Sequence, residues 1–191
     1  MRISLAMICV SMLLVMPMTV RATHQDLTDG RDTKGRLDIR KVWTWGPHAN
    51  TGFRIGTFRS WTPKFIWDRG FFVVNVDTFG TSRFDYYVLI RSNGRRMKGL
   101  LFRDRAERRD YVIRKVRVWR PDSKSVNFRF PWGDVRFPKR RRHFRWSAQS
   151  LFSSDACPSV CIDRVPNKGT VMTTVRPAPT PTATPTDSPA P

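Results

Sequence analysis

Phe84-Asp85-Tyr86-Tyr87-Val88-Leu89-Ile90, the turn Ser92-Asn93-Gly94-Arg95 and the segment Met97 to Arg103 follow one another in the stretch whose reading decides the fold. The first segment packs aromatic and branched apolar side chains into a length suited to one strand. Asn93-Gly94 accepts positive φ at little cost and closes a hairpin, so Met97 to Arg103 should pair back on Phe84 to Ile90.

The same pattern spreads outward on both sides. Upstream lie Leu37 to Trp45, a Gly/Pro loop from Gly46 to Gly52, Phe53 to Phe58, and Phe71 to Asp77. Downstream, Val112 to Trp119 alternates Val with Arg, Lys and Trp, and Val126 to Phe130 alternates again after the turn Pro121-Asp122-Ser123. Phe144 to Ala148 and Val171 to Val175 supply the last strands. Apolar positions at period two mark half-buried strands. The best helical candidate, the charged run Asp104 to Asp110, has no apolar face to bury. Many short strands with tight turns predict an all-β fold, an antiparallel β-sandwich of jelly-roll-like kind, with a closed barrel as its rival.

The two ends differ from this domain. Arg2 precedes an apolar run from Ile3 to Val20, and Val20-Arg21-Ala22 offers small or branched residues at the −3 and −1 positions of a peptidase site. Residues 1–22 therefore read as a signal peptide; a membrane anchor is the rival, disfavoured by Pro17 within the run. Residues 23–30 read as a flexible lead and 31–175 as the folded domain. From 176 to 191 the chain is rich in Pro and Thr, which removes backbone donors and predicts an extended, disordered tail. The expected location is outside the cytoplasm, secreted or associated with the cell envelope, with no membrane span after cleavage.

Asp32-Thr33-Lys34-Gly35-Arg36-Leu37-Asp38-Ile39 and Cys161-Ile162-Asp163-Arg164-Val165-Pro166-Asn167-Lys168-Gly169 resemble the bracketing motifs of a secreted actinobacterial β-sandwich family of unknown function. Asn75-Val76-Asp77, Phe84 to Val88 and the Trp146 strand fit the same pattern. More distantly the layout is similar to jelly-roll modules of the DOMON and sugar-binding type. The resemblance implies a sandwich and no particular activity.

The chain has 35 Lys and Arg against 15 Asp and Glu, a formal net charge of +20. Such a surface concentrates anions. Lys139, Arg140, Arg141 and Arg142, with Arg145 beside Trp146, form the densest cluster and the expected anion-binding patch. Arg114, Lys115, Arg117 and Arg120 flank Trp119, and Arg54, Arg59 and Lys64 lie near Trp61 and Trp67. Among seven tryptophans, Trp132 in Phe130-Pro131-Trp132-Gly133 is expected at an exposed turn, where it could stack on a sugar. The bland reading of each Trp is core packing; that of each charge run is a solvated loop.

Cys157 and Cys161 are the two cysteines beyond the leader. Their spacing on a loop predicts a disulfide rather than a metal site, which would need further ligands, or a redox centre, which favours C-x-x-C. Asp77 and Asp85 flank one turn and could hold a cation or cap that turn. The turn between them, Thr78 to Arg83, is poor in oxygen ligands for a cation. His24, His48 and His143 lie far apart, and no nucleophile, phosphate-loop or zinc motif is present. The expectation is a non-catalytic domain without metal or cofactor that binds an anionic surface polymer, a polysaccharide or the envelope surface, nucleic acid entering only as a non-specific polyanion. A structural or protein-interaction domain and an enzyme of unrecognised type stand as alternatives.

Overall fold

The computed structural model describes residues 25–46, 50–81, 83–138, 143–154 and 157–175. The expected leader (1–22), the tail (176–191) and the cluster Lys139 to Arg142 lie outside the described residues. In chain order the elements are β1 (Gln25–Thr28), β2 (Ile39–Trp45), β3 (Asn50–Thr57), a one-turn helix α1 (Pro63–Ile66), β4 (Gly70–Asp77), β5 (Tyr86–Ser92), β6 (Met97–Arg103) and β7 (Tyr111–Trp119). They continue with β8 (Ser125–Pro131), a 3-10 turn (Trp132–Asp134), β9 (His143–Ser154), β10 (Cys157–Val165) and β11 (Val171–Thr174).

The predicted hairpin forms in register, Tyr86 opposite Arg103 and Ser92 opposite Met97, with Gly94 at φ 87° in the turn. Tyr86, Val88 and Ile90 point inward, as do Phe72, Val74 and Val76 on β4. Burying an apolar side chain of this size stabilises by about 1.5–3 kcal/mol. A one-residue slip would exchange that inward row for Arg91 and its neighbours on the outer face, which fixes the register.

All pairings are antiparallel, in the order β1-β2-β3-β8-β7-β6-β5-β4-β9-β10, with β11 on the free half of β9. β7 belongs to both layers: Tyr111 to Val116 pair with β6, and Arg117 to Trp119 with β8. The sheet thus rolls into a barrel-like sandwich around one apolar core. Phe53 stacks on Phe128 and meets Trp146 edge-on, both at 5.3 Å between centroids, which joins the layers. The roll is bridged where β2 nears β10: Ile39 N–H donates to Asp163 Oδ2, and Ser150 Oγ to Leu37 O at 2.6 Å. Among the described residues no helix is long and apolar enough to cross a membrane.

Two sequence expectations are corrected. The lead 23–30 is not free, since Gln25 to Thr28 pair with Thr44 to Lys41 as a short edge strand. The Cys157–Cys161 segment is not a loop but a bulged strand paired with β9, and the disulfide across the bulge does form, with Cα atoms 5.5 Å apart. Asp104 to Asp110, which have no apolar face, make a turn; among the described residues the α-helix lies at Pro63, where Thr62 Oγ1 accepts from Phe65 N–H and Pro occupies the first turn.

Gly99 shows how tight the β6–β7 seam is. A Cβ there would meet the Cγ2 atoms of Val116 and Val118 at 2.5 and 2.6 Å. Gly99→Ala is expected to destabilise by about 1–3 kcal/mol through overpacking, read as a lower denaturation midpoint; an unchanged midpoint would contradict this packing.

Candidate anion-binding groove

Charge in this protein is abundant, so the question is which cations have work inside the fold. Arg54 reaches Asp122 and lies 5.0 Å from the Trp43 ring. Arg120 donates to Trp61 O at 2.8 Å and Ser123 O at 2.6 Å, with its guanidinium 3.7 Å from the Trp61 ring centroid. Burial pulls its pKa below the usual arginine value. Arg114 pairs with Asp134 at 3.0 Å and Arg103 lies 3.9 Å from Asp85. These arginines are part of the structure. Two of the three sequence clusters are therefore partly spent on packing.

Other cations have no carboxylate within ion-pair reach among the described residues. Arg91, Arg96, Lys98, Lys115 and Arg117 line one cleft of about 560 Å³ on the outer face of β5, β6 and β7. The pairing sets them there: Arg91 stands opposite Lys98, and Leu100 opposite Lys115, so outward positions of three strands carry positive charge in adjoining rows. Among the described residues no acidic side chain lines that cleft.

A second cleft of about 560 Å³ shares Arg91 and Lys98 and continues the first across the Gly70 end of β4, where Arg69, Phe71, Leu151 and Val160 add to its walls. Asp68 is its single carboxylate among the described residues. Trp67 forms its far wall and is 52% exposed. The ring rests on the hairpin turn, 3.4 Å from where a Cβ of Gly94 would stand. Ser92 Oγ donates to Pro63 O at 2.5 Å and fastens the same turn to α1. Trp67 is thus held on one face and open on the other. The disulfide lies at this end too, stapling the bulge that carries Val160.

The other predicted site residues divide. Asp85 Oδ2 accepts from the N–H groups of Thr78 and Phe79 at 2.8 and 3.0 Å, and Asp77 Oδ1 accepts from Gly80 N–H. Both carboxylates are drawn into the 77–85 turn, with Arg103 beside Asp85. Trp132 is not the exposed platform expected of it. It is half-buried, with Phe130, Phe137 and Phe144 edge-on to its ring at 6.0, 5.6 and 4.8 Å. Arg145 is exposed on β9 opposite Asp77, away from the groove, and its neighbours Lys139 to Arg142 are among the residues not described.

Arg91, Arg96 and Lys98 had no signal in the sequence, because they are scattered through a hairpin and become one surface only through strand register. Comparison of the chain with protein families, with curated proteins and with solved structures finds no match to any of them.

Proposed function

We propose that this chain is exported and acts without catalysis, holding an acidic polysaccharide in the groove that runs from Trp67 past Arg91 and Lys98 to Lys115. The observation that carries the reading is an exposed indole at one end of a row of cations with no ion-pair partners among the described residues. An aromatic face stacks on the apolar face of a sugar ring, and arginine binds carboxylate or sulfate groups bidentately. Export is supported by the leader-like residues 1–22 and by the disulfide, which persists in oxidising compartments.

The test is retention of the oxidised protein on immobilised heparin and on a neutral glucan across a salt series. Arg91→Ala, Lys98→Ala and Arg117→Ala together should lower the eluting salt and reduce the salt-dependence slope by about one per cation removed. Trp67→Ala should weaken binding about tenfold, the size of one stacking contact of about 1.4 kcal/mol. Stability should change little in both, since these side chains are exposed. If elution is unmoved by the triple variant and collapses when residues 139–142 are neutralised, the ligand is held elsewhere and the groove reading fails.

A further inference from the structure

In a chain with so few acids, three carboxylates converge at the seam between the two ends of the sheet. One oxygen from each of Asp29, Asp32 and Asp163 lies within 4.8 Å of the others. Asp38 adjoins them and interacts electrostatically with Asp29, Asp32 and Asp163. Asn167 Nδ2 donates to Asp32 at 2.9 Å and to Asp29 at 3.4 Å, drawing the two together rather than neutralising them.

The buried oxygens decide what this cluster is for. Asp163 is 2% exposed and faces inward from β10; Oδ2 accepts from Ile39 N–H, while Oδ1 is shielded from solvent and has no hydrogen-bond partner among the described residues. Asp38 is 3% exposed and its Oδ1 is in the same state, as is Asp29 Oδ2. Among the described residues no ion pair reaches any of the four, and Arg31 acts on Asp38 only at longer range. A buried carboxylate oxygen without a partner forfeits its hydration for nothing in return. Asp29 and Asp163, both in the converging trio, leave a gap in the bonding that one positive ion would close. Burial raises the Asp163 carboxyl to about 7 and the Asp38 carboxyl to about 6, the neighbouring acids adding to both, while the Ile39 N–H opposes the first and the Thr33 N–H and Arg31 oppose the second.

We propose that Asp29, Asp32 and Asp163 bind one divalent cation of the hard, oxygen-seeking class, calcium fitting best, with Asp38 beside them. The donors are all carboxylate oxygens, with neither imidazole nor thiolate, which suits calcium rather than zinc. Calcium also accepts the irregular geometry of ligands drawn from separate segments. Asp29, Asp32 and Asp38 come from the chain before and at the start of β2, and Asp163 from β10 more than 120 residues later. The ion joins the two edges of the rolled sheet.

The experiment is thermal unfolding and titration calorimetry of the intact, oxidised protein after chelator treatment, with Ca²⁺ and then Mg²⁺ as the only additions. One Ca²⁺ should bind per chain, raising Tm by roughly 5–10 °C at a hundredfold excess over Kd. Asp163→Asn keeps an acceptor for Ile39 N–H and removes the buried charge, so the variant should fold as well as the metal-free parent and lose the calcium response. Asp32→Asn, at an exposed position, is a second variant with no core to disturb and should weaken binding at least tenfold. No binding heat and no Tm shift up to millimolar Ca²⁺, or an equal shift in both variants, would overturn the proposal and leave Asp163 as a protonated core acid. Binding of Mg²⁺ more tightly than Ca²⁺ would overturn the assignment to calcium. None of these outcomes bears on heparin retention, so the groove and the ion site stand or fall separately.

Discussion

Trp146→Ala should be the most damaging single substitution in this protein, with a loss of about 3–5 kcal/mol and a Tm lower by roughly 10 °C. The side chain is fully buried, meets Phe53 edge-on, and lies where the two layers face each other. Its truncation leaves a cavity that the flanking strands are too constrained by their ladders to fill. The indole has a second role. Nε1 donates to Thr173 Oγ1 at 2.9 Å, Thr173 Oγ1 donates in turn to Gln25 Oε1, and Gln25 Nε2 donates to Met172 O at 2.8 Å. Trp146→Phe keeps most of the volume and breaks the head of this relay, so it should lose only about 1–2 kcal/mol. Hydrogen exchange should then quicken selectively in β1 and β11. Equal losses for Ala and Phe, by calorimetry, would show that the relay rather than the packing dominates.

Arg120→Ala should follow, at about 2–4 kcal/mol, because it strips a charged donor from three carbonyl groups at once, two of them part-buried. Arg120 Nη2 serves Trp61 O and Ser123 O, Nε reaches Ser125 O at 3.4 Å, and the guanidinium covers the Trp61 ring. Trp61 is 2% exposed, donates through Nε1 to Thr57 Oγ1 at 3.1 Å, and packs on Phe72. Arg120→Lys carries the charge without the planar fork and should recover less than half of the loss. Arg117→Ala, three residues away and exposed, should leave denaturation unchanged while reducing polyanion retention. If Arg120→Ala instead matches Arg117→Ala in both measurements, Arg120 is a surface charge.

That contrast shows what a linear reading can and cannot recover. Period-two alternation revealed nine of the strands because it records the pleat itself: Tyr86, Val88 and Ile90 inside, Tyr87 and Leu89 outside. It failed at β10, where an inward position is occupied by Asp163 and the apolar rhythm breaks. It failed at β1, where Leu27 is the only apolar residue of a four-residue edge. The disulfide was legible because pairing is a matter of chemistry and compartment. The groove was not, since Arg91 and Lys98 become neighbours through a turn, and Lys115 joins them through the next strand. Sequence density of charge pointed instead to Lys139 through Arg142. Likewise Arg114, Lys115, Arg117 and Arg120 look alike in a row, yet one is held by Asp134, one supports Trp61 and two face the groove.

The position of the last strand has a practical outcome. Val171 to Thr174 run along β9 from Trp146 to His143, so this last described strand ends near the Asp77 end of β4, and Gln25 lies beside it. Trp67 and Arg91 sit past the Gly70 end, about seven residues of strand away, or roughly 23 Å at 3.3 Å per residue. Gln25 and Thr174 therefore lie at one pole and the indole with its arginines at the other, so a surface coupled beside the first pole would leave the second facing solution.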